Sequence, residues 1–147
     1  VRDICAELGI ALVAFSPLGR GALAEGIRDT STLLESDIRY SHPRFDADNW
    51  PRNLALIDGF NAVARREGVM PAQLALAWVL SRGDNVHVIP GTTNIAHLEE
   101  NMAAASLTAS SEVLEQAGQI INHSTVQGHR YHPAIRPTID TEEFEDA

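Results

Sequence analysis

The chain has 147 residues, of which 44% are hydrophobic and 21% are charged, and its formal net charge is −9. This length matches one modest globular domain, and no apolar run is long enough to span a membrane. The acidic balance argues against nucleic acid and anionic membrane surfaces as partners. All 11 basic residues are arginines, so no lysine-dependent chemistry can lie within this chain.

The single cysteine, Cys5, excludes an internal disulfide. It falls beside Ile4 and Leu8 on the apolar face of a short helical pattern, which predicts a buried, reduced thiol and favours a cytoplasmic protein. The sequence opens on Val1 partway through that helix, with no methionine and no signal-like segment, and we expect a fragment of a longer protein.

The predicted elements begin with a helix from Arg2 to Leu8, which ends at Gly9. A strand follows at 11–15, and its continuous apolar run predicts a parallel strand that is covered on both faces. Residues 16–49 then form a long irregular segment. Segments of this kind in compact domains are usually functional or disordered.

Four helices and a second strand, at 86–89, complete the pattern. The first two helices begin at Pro51 and Pro71, because proline suits the first turn of a helix. The third spans about 94–105, and Thr108 is expected to cap the fourth. Their predicted core positions, chosen by helical spacing, are Leu54, Ile57, Phe60, Ala64, Leu74, Ala77, Trp78, Ile95, Leu98, Met102, Val113, Leu114, Ala117, Ile120 and Ile121.

Two parallel strands with helices between them cannot form a closed sheet, and their edges and apolar faces would be left exposed. In a (β/α)8 barrel of about 250 residues they would be the last two strands with their helices. We therefore predict an α/β fold that is the C-terminal part of an incomplete TIM barrel. Residues 1–131 would form this part, and residues 132–147 an acidic, disordered tail.

A polar loop that contains glycine follows each predicted strand. Residues 16–21 follow the first strand, and the second strand breaks at Pro90 and Gly91 before Thr92 and Thr93, which are possible helix caps. Ligands bind at the carboxyl ends of the strands in open α/β sheets and in barrels. A helix N-terminus also offers free backbone N–H groups to an anion. The two loops therefore predict an anion-binding site.

Three segments lie at these strand ends: FSPLGRG at 15–21, IPGTT at 89–93 and HLEEN at 97–101. In sequence, order and separation they resemble the last two strand-end loops of the aldo-keto reductases. Pro43-Arg44-Phe45, Asn53-Leu54-Ala55-Leu56 and the segment 71–78 are similar to one bacterial and plant branch of that family. The resemblance runs over about residues 1–131, but only to the C-terminal half of the family.

The resemblance implies an NADP(H)-dependent oxidoreductase that reduces aldehydes or ketones to alcohols by hydride transfer. The family's catalytic tyrosine, lysine, aspartate and histidine cannot be assigned here, since Tyr40 and Tyr131 do not lie in the matching motif, so we predict no catalytic residue in this chain. The chain would supply the cofactor cradle and, through residues 22–50, part of the substrate rim. Its partners would be a small carbonyl substrate and the missing N-terminal half of the barrel.

For the first loop, the resemblance implies that Phe15 stacks on the nicotinamide ring, with a place in the core as the alternative. The loop would wrap the pyrophosphate, because glycines let backbone N–H groups approach phosphate closely. Arg44 would reach a phosphate, whereas Arg28 and Arg39 are interpreted as solvated loop residues. The predicted pyrophosphate-binding residues are Ser16, Pro17, Leu18, Gly19, Arg20 and Gly21.

For the second loop, the resemblance implies that the adenosine 2′-phosphate lies against Gly91, Thr92 and Thr93, with His97 as a further candidate. Many relatives have arginine at position 94, but Asn94 keeps only a hydrogen bond and lacks the charge. NADP(H) is therefore predicted, and NAD(H) stays possible. The predicted residues for the adenine edge are Glu100 and Asn101.

Two alternatives remain open from the sequence. One is a nicotinamide-nucleotide-binding or regulatory module without turnover, and the other is a plain α/β fragment with no competent site. His123, His129 and His132 do not have the spacing of a metal site, and none is predicted. The identity of the carbonyl substrate lies beyond the sequence.

Overall fold

The computed structural model describes residues 1–139, and the expected acidic residues from Asp140 onward lie outside this range. The helices and strands are α1 (Arg2–Glu7), β1 (Leu12–Ala14), α2 (Trp50–Arg66), α3 (Pro71–Leu80), β2 (Val86–Val88), α4 (Ile95–Ala103) and α5 (Ser111–Ile120). Short 3-10 turns lie at Gly19–Ala24, Thr30–Thr32, Pro43–Phe45, Ala104–Ser106 and Arg136–Thr138. Among these elements, no helix has the length and apolar character needed to cross a membrane.

The two strands pair in parallel, with Val13 opposite His87. Parallel pairing brings their carboxyl ends together, so the loops 16–21 and 90–94 begin at the same edge of the sheet. Helix α3 packs against β2, but Val13 and His87 are both exposed. Within the described residues the sheet is therefore covered on one face and not on both, because no described helix lies over Val13.

Helices α2, α3 and α5 form the main core, as the helical spacing predicts. Pro51 and Pro71 lie in the first turns of α2 and α3, and Gly68 follows α2 with a φ of +70°. This left-handed backbone suits glycine after a helix. The buried residues of the core are Phe60, Val63, Ala64, Leu74, Ala75, Val113 and Ala117.

The long segment between β1 and α2 folds into a series of turns around a second apolar cluster. The rings of Phe45 and Trp50 stack with their centroids 5.2 Å apart. Trp50 Nε1 donates to the carbonyl of Arg28 at 3.0 Å, and Ile27 and Ile57 complete the cluster. The segment is thus anchored to α2, and Ala22 and Leu23, which adjoin the first strand-end loop, pack against this cluster.

The sequence predicts that the apolar residues of α4 pack into the core, and this prediction is wrong for residues 1–139. Ile95, Leu98 and Met102 are all exposed, and the buried residue of this helix is Asn101. Helix α4 contacts α3 through its other side, where Asn101 and the adjoining Ala104 are buried. The apolar stripe of α4 is therefore correctly located in the sequence, but its partner is not among the described residues.

The cap of α5 and the burial of Cys5 also differ from the prediction. Helix α5 is capped by Ser110, whose Oγ accepts from the backbone N–H of Val113 at 3.3 Å, and not by Thr108. Cys5 is half-buried and not buried. Helix α1 has no buried residue, and its apolar face is open to solvent within residues 1–139.

Candidate functional site

A groove of about 600 Å³ lies between the two strand-end loops, the start of α3 and one face of α4. Its volume falls within the range of about 300–1,000 Å³ that is typical of small-molecule sites. The structure brings together here most of the residues predicted from the sequence. Those that line this strand-end groove are Ser16, Pro17, Leu18, Arg20, Gly21, Gly91, Thr92, His97, Glu100 and Asn101.

Part of the lining was missed by the sequence analysis. Residues 24–26 and Met70, Pro71 and Ala72 also face the groove, together with Ile89 and Pro90. Pro71 was recognised only as the start of a helix. No local pattern indicates that the start of α3 meets the first loop, because that contact joins distant parts of the chain.

The first loop has an unusual backbone. Ser16 and Arg20 have left-handed φ values of 51° and 57°, which are uncommon for residues other than glycine. The turn is closed by the N–H of Gly19 donating to the carbonyl of Ser16 at 3.1 Å. Strained backbone of this kind costs about 1–3 kcal/mol per residue and clusters at ligand-binding sites.

Arg20 is a half-buried cation at the edge of this loop. Its Nη1 donates to the carbonyl of Arg130 at 3.2 Å, and its guanidinium lies 5.6 Å from the ring centroid of Tyr131. Burial, followed by the positive charge of Arg130, lowers the pKa of Arg20 from its ordinary value. Among residues 1–139, no carboxylate pairs with Arg20, so a bound anion would stabilise it.

Arg28 and Arg39, unlike Arg20, each form an ion pair with a carboxylate. Arg28 Nη2 donates to Asp58 Oδ2 at 3.0 Å, and Arg39 Nη2 donates to Asp37 Oδ2 at 2.7 Å. The hydrogen bonds from Arg39 lower the pKa of Asp37 to about 2. Both arginines are thus engaged in local ion pairs outside the strand-end groove.

The second loop is closed by Asn94 and not, as predicted, by threonine caps on α4. Asn94 Oδ1 accepts from the N–H of Ala96 at 2.8 Å, which makes Asn94 the N-cap of the helix. Thr92 Oγ1 accepts from the N–H of Asn94 at 3.1 Å, whereas Thr93 and Asn94 are not among the residues that line the groove. The N–H groups of residues 91–93 have no acceptor within the described chain.

One face of α4 forms the far wall of the groove. Asn101 is only 8% exposed, and its side-chain amide has no hydrogen-bond partner among residues 1–139. Glu100 is half-buried, and its carbonyl accepts from Gln73 Nε2 at 3.3 Å. An asparagine amide can both donate and accept, and Asn101 lines the groove, so this wall suits a ligand edge that carries both a donor and an acceptor.

Arg44 lies outside the strand-end groove. Its Nε donates to the carbonyl of Gly128 at 3.2 Å, and together with Gly19 it lines a neighbouring cavity of about 240 Å³. Arg44 therefore contacts the C-terminal segment 127–131, which we call the strap. The proposed contact between Arg44 and a phosphate stays a prediction.

The strap is held to α2 through its main chain. The N–H of Gln127 donates to Asn53 Oδ1 at 2.8 Å, and Asn53 Nδ2 donates to the carbonyl of Gln127 at 2.9 Å. Gly128 has a φ of +82°, and a Cβ there would lie 2.9 Å from the carbonyl oxygen of Pro43. Only glycine fits this position without rearrangement, which fixes the path of the strap beside the first loop.

Phe15 lies at the end of β1, outside the lining of the strand-end groove, and its side chain is 52% exposed. The guanidinium of Arg130 lies 4.5 Å from the centroid of its ring. Residues 1–139 therefore do not bury this ring. One face of the ring is covered by the strap and the side chain is otherwise open.

No group of three or more histidine, cysteine, aspartate or glutamate side chains within residues 1–139 is arranged to hold a metal ion.

A family model described as the aldo/keto reductase family matches residues 1–122. An NADP(+) aldo-keto reductase of Schizosaccharomyces pombe is 34% identical over 90% of this chain and 39% of its own length. An aldo-keto reductase of Strobilurus tenacellus is 36% identical over 84% of this chain and 37% of its own length. A probable aldo-keto reductase of Glycine max is 37% identical over 92% of this chain and 39% of its own length. The chain thus spans less than two fifths of each of these relatives.

Solved structures agree with this family match. A glycerol dehydrogenase of Gluconobacter oxydans superposes with a TM-score of 0.74 at 22% identity, over 82% of this chain and 36% of that protein. A thermostable aldo-keto reductase in complex with epalrestat gives a TM-score of 0.53 at 25% identity, over 82% of this chain and 33% of that protein. These neighbours are TIM barrels, so the predicted fold, part of such a barrel with two parallel strands, is confirmed.

Proposed function

The chain belongs to the aldo/keto reductase family, and we propose that it forms the NADP(H)-binding part of a carbonyl reductase whose catalytic half lies outside these residues. When bound, the cofactor would supply a hydride to the carbonyl carbon of an aldehyde or ketone. The observation that carries the proposal is the strand-end groove, where two strand-end loops, the desolvated Arg20 and the unpaired amide of Asn101 meet.

The first loop would bind the pyrophosphate. Arg20 has no carboxylate partner among the described residues, and a charge-assisted hydrogen bond to a phosphate oxygen would offset the cost of its burial. Ser16 can add a hydroxyl donor, and the left-handed turn at Gly19 and Gly21 brings the backbone close to the ligand. Phe15 would offer the open side of its ring to the nicotinamide.

The second loop would bind the adenosine end. The unbonded N–H groups of residues 91–93 lie just before the N-terminus of α4, where the helix dipole favours an anion such as the 2′-phosphate. The amide of Asn101 can both donate and accept, and the carboxylate of Glu100 can accept from an exocyclic amine. Together they match the edge of an adenine ring.

A second candidate function is a nucleotide-binding or regulatory module without turnover. It needs only the binding residues of the strand-end groove, whose lining within the described residues contains no tyrosine or lysine, as the enzyme proposal also expects. Tyr40 lies on the long segment, and Tyr131 lies on the strap. A proton-donating tyrosine and its lysine in the N-terminal half would support the enzyme, and their absence there would support the module.

The remaining partners of the proposed enzyme are a small carbonyl substrate and the N-terminal half of the barrel. The half-buried Cys5, the single cysteine of the chain, fits a reducing compartment. We therefore propose a cytoplasmic location.

Asn94→Arg is expected to improve the preference for NADPH over NADH by about 10-fold in the complete protein. A guanidinium that meets the 2′-phosphate contributes about 1.5–3 kcal/mol, and NADH has no such phosphate. Loss of the Asn94 cap costs about 1 kcal/mol of helix stability, but this cost applies to both cofactors. Titrations followed by protein fluorescence would give both dissociation constants.

Two control variants separate the effect of charge at this position from other effects. Gln119→Arg adds the same charge on the exposed side of α5 and should leave the ratio of the two dissociation constants unchanged. Asn94→Ser keeps a capping side chain and should also leave the ratio unchanged. If Asn94→Arg changes both affinities equally, position 94 does not contact the 2′-phosphate.

A further inference from the structure

Arg130 brings a positive charge against the ring that would carry the nicotinamide. Its guanidinium lies 4.5 Å from the ring centroid of Phe15 and 5.8 Å from that of Tyr131. A guanidinium over an aromatic face at this distance is a favourable cation–π contact. The contact links the C-terminal strap to the end of β1.

The strap holds Arg130 in this place from both sides. On one side, Asn53 binds both main-chain groups of Gln127. On the other, the carbonyl of Arg130 itself accepts from Arg20 Nη1 at 3.2 Å. These contacts fix the main chain on both sides of Arg130, and from there its guanidinium reaches the ring of Phe15.

We propose that Arg130 acts through Phe15 to make the site favour the reduced cofactor over the oxidised one. This inference rests on the proposed function, in which the nicotinamide stacks on Phe15. The nicotinamide ring of NADPH is neutral, whereas that of NADP⁺ carries a positive charge. Arg130 covers one face of Phe15, so the nicotinamide would lie on the opposite face, and only the oxidised ring would be repelled.

The size of the effect follows from the separation of the two charges. Stacked rings have centroids at least about 4.5 Å apart, so the guanidinium and the oxidised nicotinamide would lie about 9 Å apart. Effective dielectric constants between those of a protein surface and of water then give a preference for NADPH of about 2- to 20-fold.

The test measures the dissociation constants of NADPH and NADP⁺ for the complete protein and three variants. Arg130→Gln and Arg130→Met remove the charge and should shift the ratio by about 2- to 20-fold toward NADP⁺. Arg130→Lys keeps a cation and should leave the ratio close to that of the unaltered protein. The ratio is informative because a merely structural loss would weaken both cofactors alike.

Three outcomes would overturn the inference. An equal weakening of both cofactors in the charge-removing variants would mean that Arg130 only holds the strap in place. An equal tightening would mean that Arg130 occupies the face of Phe15 that the nicotinamide needs. If the unaltered protein binds neither cofactor, the proposed function itself fails, and that result is distinct from an unchanged ratio in a protein that binds both.

Discussion

The chain on its own is expected to show no NADPH-dependent reduction of aldehydes or ketones. It contains no lysine, and neither of its tyrosines lines the strand-end groove. A positioned general acid contributes about 10²–10⁴-fold to the rate of such reactions, and the oriented substrate site would be lost as well. Oxidation of NADPH in the presence of a panel of aldehydes and ketones, followed by absorbance, would measure this.

The complete protein, assayed beside the chain, serves as the positive control for cofactor and substrates. Turnover by the isolated chain would contradict the proposal if Tyr40→Phe or Tyr131→Phe abolished it. That result would mean that the chain holds its own proton donor.

The isolated chain is also expected to be aggregated, molten or associated with other chains. Val13, Phe15 and Ile89 are exposed around the two strands, and α4 presents a bare apolar stripe to solvent. A typical domain is stable by only about 5–15 kcal/mol, so an incomplete core is enough to remove that margin. Size-exclusion chromatography with hydrogen exchange would show the state of the chain.

Co-expression with the N-terminal half of the barrel should restore a soluble complex that binds the cofactor. Leu98→Glu in the exposed stripe of α4 should impair this assembly, because it buries a charge in the new contact. As a control, Leu34→Glu changes an exposed leucine on the long segment, and it should leave the assembly unimpaired. A compact, well-protected monomer of the isolated chain would show that it completes its own core.

The elements and the meeting of the two strand-end loops can be predicted from the sequence. The apolar runs before Ser16 and Pro90 predict the two strands, and parallel pairing then requires that their loops meet. The spacing of Ile57, Phe60 and Ala64 predicts the buried face of α2. The strands and the buried face of α2 are predicted correctly because each depends on residues that are close together in the chain, whereas the parallel pairing joins residues 12–14 to residues 86–88.

Other features could not be predicted because they depend on contacts between distant residues. The pairing of Asn53 with Gln127 and the stacking of Arg130 on Phe15 have no signal in local periodicity. The cap of α4 was misassigned because Thr92, Thr93 and Asn94 are all capable cap residues. The apolar stripe of α4 was assigned to a core that the described residues do not contain.

The most direct test of a cofactor site in the strand-end groove is an NADPH titration of the complete protein with two matched variants. Arg20→Gln should weaken binding by about 10-fold or more, because a charge-assisted hydrogen bond contributes about 1.5–3 kcal/mol. Arg28→Gln removes an equal charge that pairs with Asp58 outside the groove, and it should change the affinity by less than about twofold. Equal affinities for the two variants would contradict a pyrophosphate site at the first loop.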